Sequence, residues 1–428
     1  MNNQAKQTQA FIILISCVLF NLTIGVLYAW SVFKTKLTTV CEEGGYGWSA
    51  GQAGLPYSIC IIVFAVSMLM GGRLQDKNGP RRVATVAGIL TGMGLIICGL
   101  AGHSILGITL GFGVVTGCGM GIGYGCVNPP VLKWFPPDKK GLVSGLVVGG
   151  YGLAAVYYAP LATMLLSKYG INKTFIGLGL GTIIISTLLA QLIKNPPEGY
   201  NPIYTQKTFY NKVINNKVIN NTDNRKAIDY TWTEMLKTTH FRLMFFIFVG
   251  AASVGVMFIG NMTNIAYTQL GISNNAVLAM IVSLIALTNS LGRMAGGRLS
   301  DKIGRTNSLF VVFTLQMFNM AAFASYKSLP SLFLGIIFVG FCFGTLISVM
   351  PALCADLFGL KNFGHNYGIL FLAWGFSGIT APVIADLVYD TTGNFNTAYI
   401  ICSIMMGFLL VANWFLKRLI RRFSAINC

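Results

Sequence analysis

The chain has 428 residues, of which 54% are hydrophobic and only 10% charged, and its formal charge is +18. Soluble domains carry about a quarter charged residues, so this composition excludes a water-soluble globular protein and makes lipid the solvent. The positive excess could suit nucleic acid, but in a membrane chain the position of charge decides more than its sum.

A helix needs roughly 20 apolar residues to cross a hydrocarbon core of ~30 Å. Six stretches of that kind come first, at 10–33, 50–71, 82–101, 105–127, 141–166 and 172–194. The first lacks a small-residue cleavage signature after a short core and reads as a retained helix. Several are glycine-studded, as in "GFGVVTGCGMGIGYG" at 111–125, which membranes tolerate because small residues let helices approach closely. A hydrophilic gap at 195–240 contains the self-repeating, low-complexity "NKVINNKVINN" at 211–221. Six more stretches follow, at 241–266, 275–297, 306–327, 329–354, 364–388 and 396–418. The expected organisation is an N-terminal six-helix bundle (1–194), a cytoplasmic linker (195–240) and a C-terminal six-helix bundle (241–428).

Orientation follows from the basic residues. With the N-terminus inside, 24 of the 30 lysines and arginines fall in cytoplasmic segments, including Arg73, Lys77, Arg81, Arg82, Lys133, Lys139 and Lys140. Lys34, Lys36, Lys168, Lys173 and Lys327 fall outside, and Arg293 lies within a span. The positive-inside rule therefore puts both termini in the cytoplasm, and the +18 becomes a topology signal and an anionic-lipid contact with no nucleic-acid partner. No long targeting segment precedes the first span, which favours a bacterial cytoplasmic or plasma membrane.

The ten cysteines sit mostly inside apolar runs without a CxxC pair, and read as buried free thiols. No metal and no cofactor are expected. The three histidines, His103, His240 and His365, lie near loops, and no paired catalytic groups or Walker pattern occur, so an enzyme is not expected.

One string appears twice: "GGRLQDKNG" at 71–79 and "GGRLSDKIG" at 296–304. The first follows span two and the second span eight, the matching position in the second half. The pattern resembles the signature loop of the major facilitator superfamily, read here as Gly72, Leu74, Asp76, Lys77, Gly79 and Arg81, and again as Gly297, Leu299, Asp301, Lys302, Gly304 and Arg305. The resemblance implies an all-α integral membrane fold of twelve transmembrane helices in two six-helix pseudo-repeats, with a site between them. It also implies that these loops latch the halves on the cytoplasmic side.

Arg293, in "LTNSLGRMAGG", stands alone in the apolar interior, eight residues before Asp301, so about 12 Å along the helix and near mid-depth. A guanidinium there needs an anion or a polar cavity. Asp356 and Asp386 read as lying toward span ends, so the expected partner is a substrate carboxylate held bidentately. Tyr28 and Trp30, Tyr124 and Asn128, and Tyr151, Tyr157 and Tyr158 offer aromatic and polar groups for the pocket, with Tyr124 and Tyr151 favoured by their glycine surroundings.

Within the superfamily the chain resembles the oxalate/formate antiporter family, with monocarboxylate transporters as wider kin. "KWFPPDKKGLVSGLVVGGYGLA" (133–154), "NPPEGY" (195–200), "SLGRMAGGRLSDKIGR" (290–305), "PALCADLFG" (351–359) and "NYGILFLAWG" (366–375) carry the likeness. It implies an anion-binding role for Arg293, lined by Tyr28, Tyr124 and Tyr151. Three departures matter. A second cation of the oxalate carrier is replaced by Trp374, the tenth span shows Phe343 and Ile347, and the aspartate that precedes the arginine in monocarboxylate carriers is Asn289.

One free cation suits one carboxylate. The reading is therefore a secondary active carrier of lactate, pyruvate or formate, with oxalate disfavoured, working by alternating access as proton symport or anion exchange. Asp386 is the one candidate proton carrier, set against a solvated acid at a helix end. The expected partners are the small organic anion, possible co-transported H+ and membrane lipids, with the chain acting as a monomer. A facilitator for a neutral sugar or amphipathic drug is the alternative reading, and a membrane receptor or enzyme a more distant one.

Overall fold

A computed structural model describes residues 3–135, 140–197, 200, 229–359 and 362–426. The repeat at 211–221 lies outside the described residues. The first span is α1 (Asn3–Ile24), a 3-10 turn (Val26–Ala29) and α2 (Trp30–Thr38). The second and third are α3 (Ala50–Asn78) and α4 (Pro80–Ala101). The fourth is α5 (Ile105–Ile108), a π-helical stretch (Thr109–Thr116) and α6 (Gly117–Trp134).

The fifth and sixth spans run together as α7 (Lys140–Leu192), interrupted at Gly170, whose φ of 74° and ψ of −179° are not helical. Eleven described stretches are long and apolar enough to cross a membrane, and the one at Val143–Leu192 has 50 residues. At 1.5 Å per residue it would reach about 75 Å, more than twice the hydrocarbon core, so the break at Gly170 makes it two spans and the total twelve.

A short helix, α8 (Trp232–Lys237), lies inside the stretch read as linker. Thr231 and Glu234 close a capping box at its start, and these hydrogen bonds hold the Glu234 carboxyl below its usual range. Tyr230 docks the segment: its N–H donates to the Phe358 carbonyl, and its own carbonyl accepts from Asn362 and Asn366. The second half comprises α9 (Thr239–Leu270), α10 (Asn275–Ile303), α11 (Arg305–Phe323), α12 (Leu329–Phe358), α13 (Phe363–Thr392) and α14 (Asn396–Ile426).

Helices pack mainly within each half, α4 on α7 and α3 on α6 in the first, α10 on α12 and α11 on α14 in the second. Three seams join the halves: α3 against α13, α7 against α10, and α2 against α9. Both copies of the repeated string do the same local work. Gly79 (φ 78°, ψ 153°) ends α3 and opens α4, and Gly304 (φ 90°, ψ 150°) ends α10 and opens α11. That region of backbone space is closed to residues with a Cβ, so glycine is what lets one helix reverse directly into the next.

Two corrections to the sequence reading follow. Span one does not stop at residue 33: helix α2 continues to Thr38 and carries Lys34 into the interior, where it is 1% exposed. Asp386 is not a solvated acid at a helix end; it lies six residues inside the end of α13 and is buried.

Candidate functional site

Arg293 projects from the middle of α10 toward the first half and is 5% exposed. Its Nε donates to Asn289 Oδ1 at 2.9 Å, one turn back on the same helix. Its two terminal nitrogens cross the seam: Nη1 donates to the Val148 carbonyl of α7 at 2.9 Å, and Nη2 to the Tyr28 hydroxyl at 2.8 Å. Gly152 lies against the guanidinium, where a Cβ would come into contact with its Cζ. Ser290 also donates across the seam, to the Gly149 carbonyl.

All three acceptors on Arg293 are neutral. Among the described residues no carboxylate lies within ion-pair distance of it; the acids there pair elsewhere, Asp386 with Lys34, and Asp301 and Asp356 with Arg305. The Tyr124 hydroxyl is a fourth neutral partner, and a guanidinium has five N–H donors, more than these neutral groups use. Beside them Asn289 Nδ2 is buried and has no hydrogen-bond partner among the described residues. The Tyr28 hydroxyl accepts from arginine and keeps a proton to donate.

Aromatic rings wall the site. Tyr28 meets Tyr151 edge-on at 5.5 Å, and Tyr151 meets Tyr124 edge-on at 5.3 Å. Phe64 of α3 lies 5.5 Å from Tyr124, 5.6 Å from Tyr151 and 5.2 Å from Trp374, and Phe371 joins the same cluster. The structure therefore brings Arg293, Asn289, Tyr28, Tyr151, Tyr124 and Trp374 into one continuous group across the seam. Other residues singled out in the sequence do different work. Trp30 donates to the Ala53 carbonyl, Tyr157 and Tyr158 donate to the Leu22 and Thr23 carbonyls, and Asn128 donates to Ser144, all within the first half.

The signature loops sit away from this group. Arg305 pairs with Asp301 and, at 3.0 Å, with Asp356, and donates to Ser300 at 2.6 Å. Every one of these contacts stays inside the second half, so among the described residues Arg305 braces its own bundle. Gly72 has open space where its Cβ would be, a Cβ on Gly297 would meet Ser348 only in ordinary contact, and Arg81 is exposed. The Asp76 side chain lies outside the described residues. Near the first loop the crossing contact is between Arg73 and His365.

The sequence reading missed Lys34. Its Nζ donates to Asp386 Oδ1 at 2.5 Å and to Asn261 Oδ1 at 2.6 Å. Among the described residues the interior thus holds two cations, one paired with an acid and one not.

Twelve apolar spans in two halves, with polar groups converging on the seam between them, are the architecture of a membrane transporter. The chain belongs to the Major Facilitator Superfamily, whose sequence profile matches residues 10–326 and 309–424. It is 29% identical over 377 residues to the uncharacterized MFS-type transporter YhjX of Escherichia coli, covering 87% of each chain. It is 27% identical over 403 residues to the oxalate:formate antiporter of Oxalobacter formigenes, covering 92% of this chain and 88% of that one. Monocarboxylate transporter 13 of Rattus norvegicus is 22% identical over 411 residues, 95% of this chain and 87% of its own. Among solved structures, a bacterial homolog of the human lysosomal transporter Spinster, in an inward-facing and occupied conformation, superposes with a TM-score of 0.70 at 13% identity, over 95% of this chain and 96% of that chain. The family and fold are those of membrane transporters, not of enzymes.

Proposed function

We propose that the chain carries small organic monocarboxylates such as lactate, pyruvate or formate, with Arg293 as the anion-binding residue. One observation carries the reading: a guanidinium buried between the halves, hydrogen-bonded only to neutral acceptors. A buried charge without a counter-charge is expensive, and a substrate carboxylate supplies one while accepting from the guanidinium. Tyr28 and Asn289 Nδ2 offer further donors to the same anion. The second interior cation, Lys34, is already neutralised by Asp386, so one free positive charge remains, which favours one carboxylate over two. Relatives named for oxalate and formate and for monocarboxylates support the class.

In this reading residues 1–194 and 241–428 rock against each other about the Arg293 site. Both termini face the cytoplasm of a cell membrane, because the segments on the side of the repeated string hold 24 of the 30 basic residues. The test is uptake of labelled lactate, pyruvate, formate and oxalate into proteoliposomes, with and without unlabelled anion inside. Monocarboxylate uptake stimulated from the trans side is expected. Equal indifference to all four would remove the anion reading in favour of a neutral substrate.

A further inference from the structure

The halves also meet at the end remote from the signature loops, through groups that the anion site does not use. Lys34 of α2 donates to Asp386 of α13 and to Asn261 of α9. One turn on, Asp390 accepts the backbone N–H groups of Ala50 and Gly51 at 3.1 Å each, capping the start of α3. Thr35 bonds Thr263 at 2.6 Å and Asn264 at 2.7 Å, and Thr263 also donates to the Ser31 carbonyl. Every one of these bonds runs from one half to the other. Gly54 leaves the space for the ion pair, because a Cβ there would overlap the Asp386 carboxylate.

A carrier that alternates access must part its halves at this end in every cycle. Drawing a buried ammonium from a buried carboxylate leaves two uncompensated charges, a cost far above thermal energy. A proton on Asp386 removes one of those charges and the attraction with it. The titratable or charged groups facing Asp386 are Lys34 from α2 and Asp390 from its own helix; α9 contributes Asn261 and α3 contributes Gly54, neither of which titrates.

We propose that Asp386 is the proton site of this carrier. Opening at the end remote from the signature loops requires its carboxylate to take one proton from that side, giving the neutral acid and freeing Lys34. Closure re-forms the Lys34–Asp386 pair and releases the proton on the side of the Arg293 site. One proton thus crosses with one monocarboxylate, making the cycle a symport. The coupling to transport rests on the anion reading, whereas the proton-operated lock rests on the geometry alone.

The test separates the two. Spin labels go on Cys41 and on Ser273→Cys, both exposed in loops at that end, with Cys118 and Cys428 replaced by serine, and the distance between them is measured in nanodiscs by pulsed dipolar spectroscopy. From pH 7.5 to pH 5 the unsubstituted lock should gain a longer-distance population. Asp386→Asn, and the charge-free double variant Lys34→Met/Asp386→Asn that guards against misfolding of the single one, should show that population at both pH values. A pH response that survives in Asp386→Asn, or its absence from the unsubstituted lock, overturns the proposal. In proteoliposomes, an inward proton gradient should raise labelled lactate, pyruvate or formate accumulation by up to about tenfold per pH unit, the limit for one proton per anion, and Asp386→Asn should abolish the dependence. Uptake indifferent to the gradient overturns the proposal and leaves the anion reading standing. A pH-dependent distance without uptake of any anion overturns the anion reading and leaves the lock in place.

Discussion

Two cations are buried among the described residues, and the fold treats them in opposite ways. Lys34 is met by Asp386 and Asn261 in a closed, fully protein-made arrangement. Arg293, whose Nη2 reaches Tyr28 six residues before Lys34, is held by neutral groups, two phenols, an amide and a backbone carbonyl. Lysine is a compact charge that one acid can neutralise, whereas the planar guanidinium keeps donors free in a fork that matches a carboxylate. The difference teaches that a buried charge is informative through its partners: a paired one points to structure or switching, an unpaired one to a ligand.

Breaking one side of each arrangement should expose that difference. The largest effect is expected from Asp386→Leu, which strands the buried ammonium and should cost about 3–5 kcal/mol in detergent thermal unfolding. The double variant Lys34→Met/Asp386→Leu should recover most of the loss, because a charge-free pair of similar volume is tolerated. Arg293→Met should behave differently, since no counter-charge is stranded. Its lost hydrogen bonds offset the removal of an unpaired charge, so stability should change by less than about 2 kcal/mol while anion uptake falls.

Smaller effects sharpen the contrast. Tyr28→Phe removes one bond to the guanidinium; a hydrogen bond to a charged group is worth about 1.5–3 kcal/mol, so the anion concentration for half-maximal uptake should rise roughly tenfold or more. Gly54→Ala should push the Asp386 carboxylate off Lys34 and destabilise the lock by about 1–3 kcal/mol, without altering the anion dependence of uptake. Gly79→Ala meets no neighbour, so its cost is that of backbone conformation alone, on the order of 1–3 kcal/mol.

The twelve spans and their halving were legible in the sequence because lipid enforces long apolar helices and a polar break between bundles. The repeated string was legible for a comparable reason: Gly79 and Gly304 occupy backbone conformations that admit glycine alone, so the same letters return wherever the same turn does. Arg293 stood out because its neighbours are apolar on both sides. Lys34 did not. A hydropathy reading ends a span at the first charge, and the acid that neutralises this one lies 352 residues away, a pairing that only the folded chain brings about. The same limit hid Asp386, whose place near the end of its span gave no sign that α2 and α9 cover it. The π-helical stretch in the fourth span and the docking of Tyr230 onto α12 likewise depend on packing between segments and leave no local pattern.

The claim on which the rest depends is that Arg293 binds the anion and Lys34 does not. Equilibrium binding of labelled lactate, pyruvate and formate to purified protein, measured by scintillation proximity, tests it most directly. The account predicts that Arg293→Gln weakens binding by roughly 10- to 150-fold, while Lys34→Met/Asp386→Asn binds at pH 7.5 as the unsubstituted chain does. Undiminished binding by Arg293→Gln, or loss of binding only in the Lys34 variant, would contradict it.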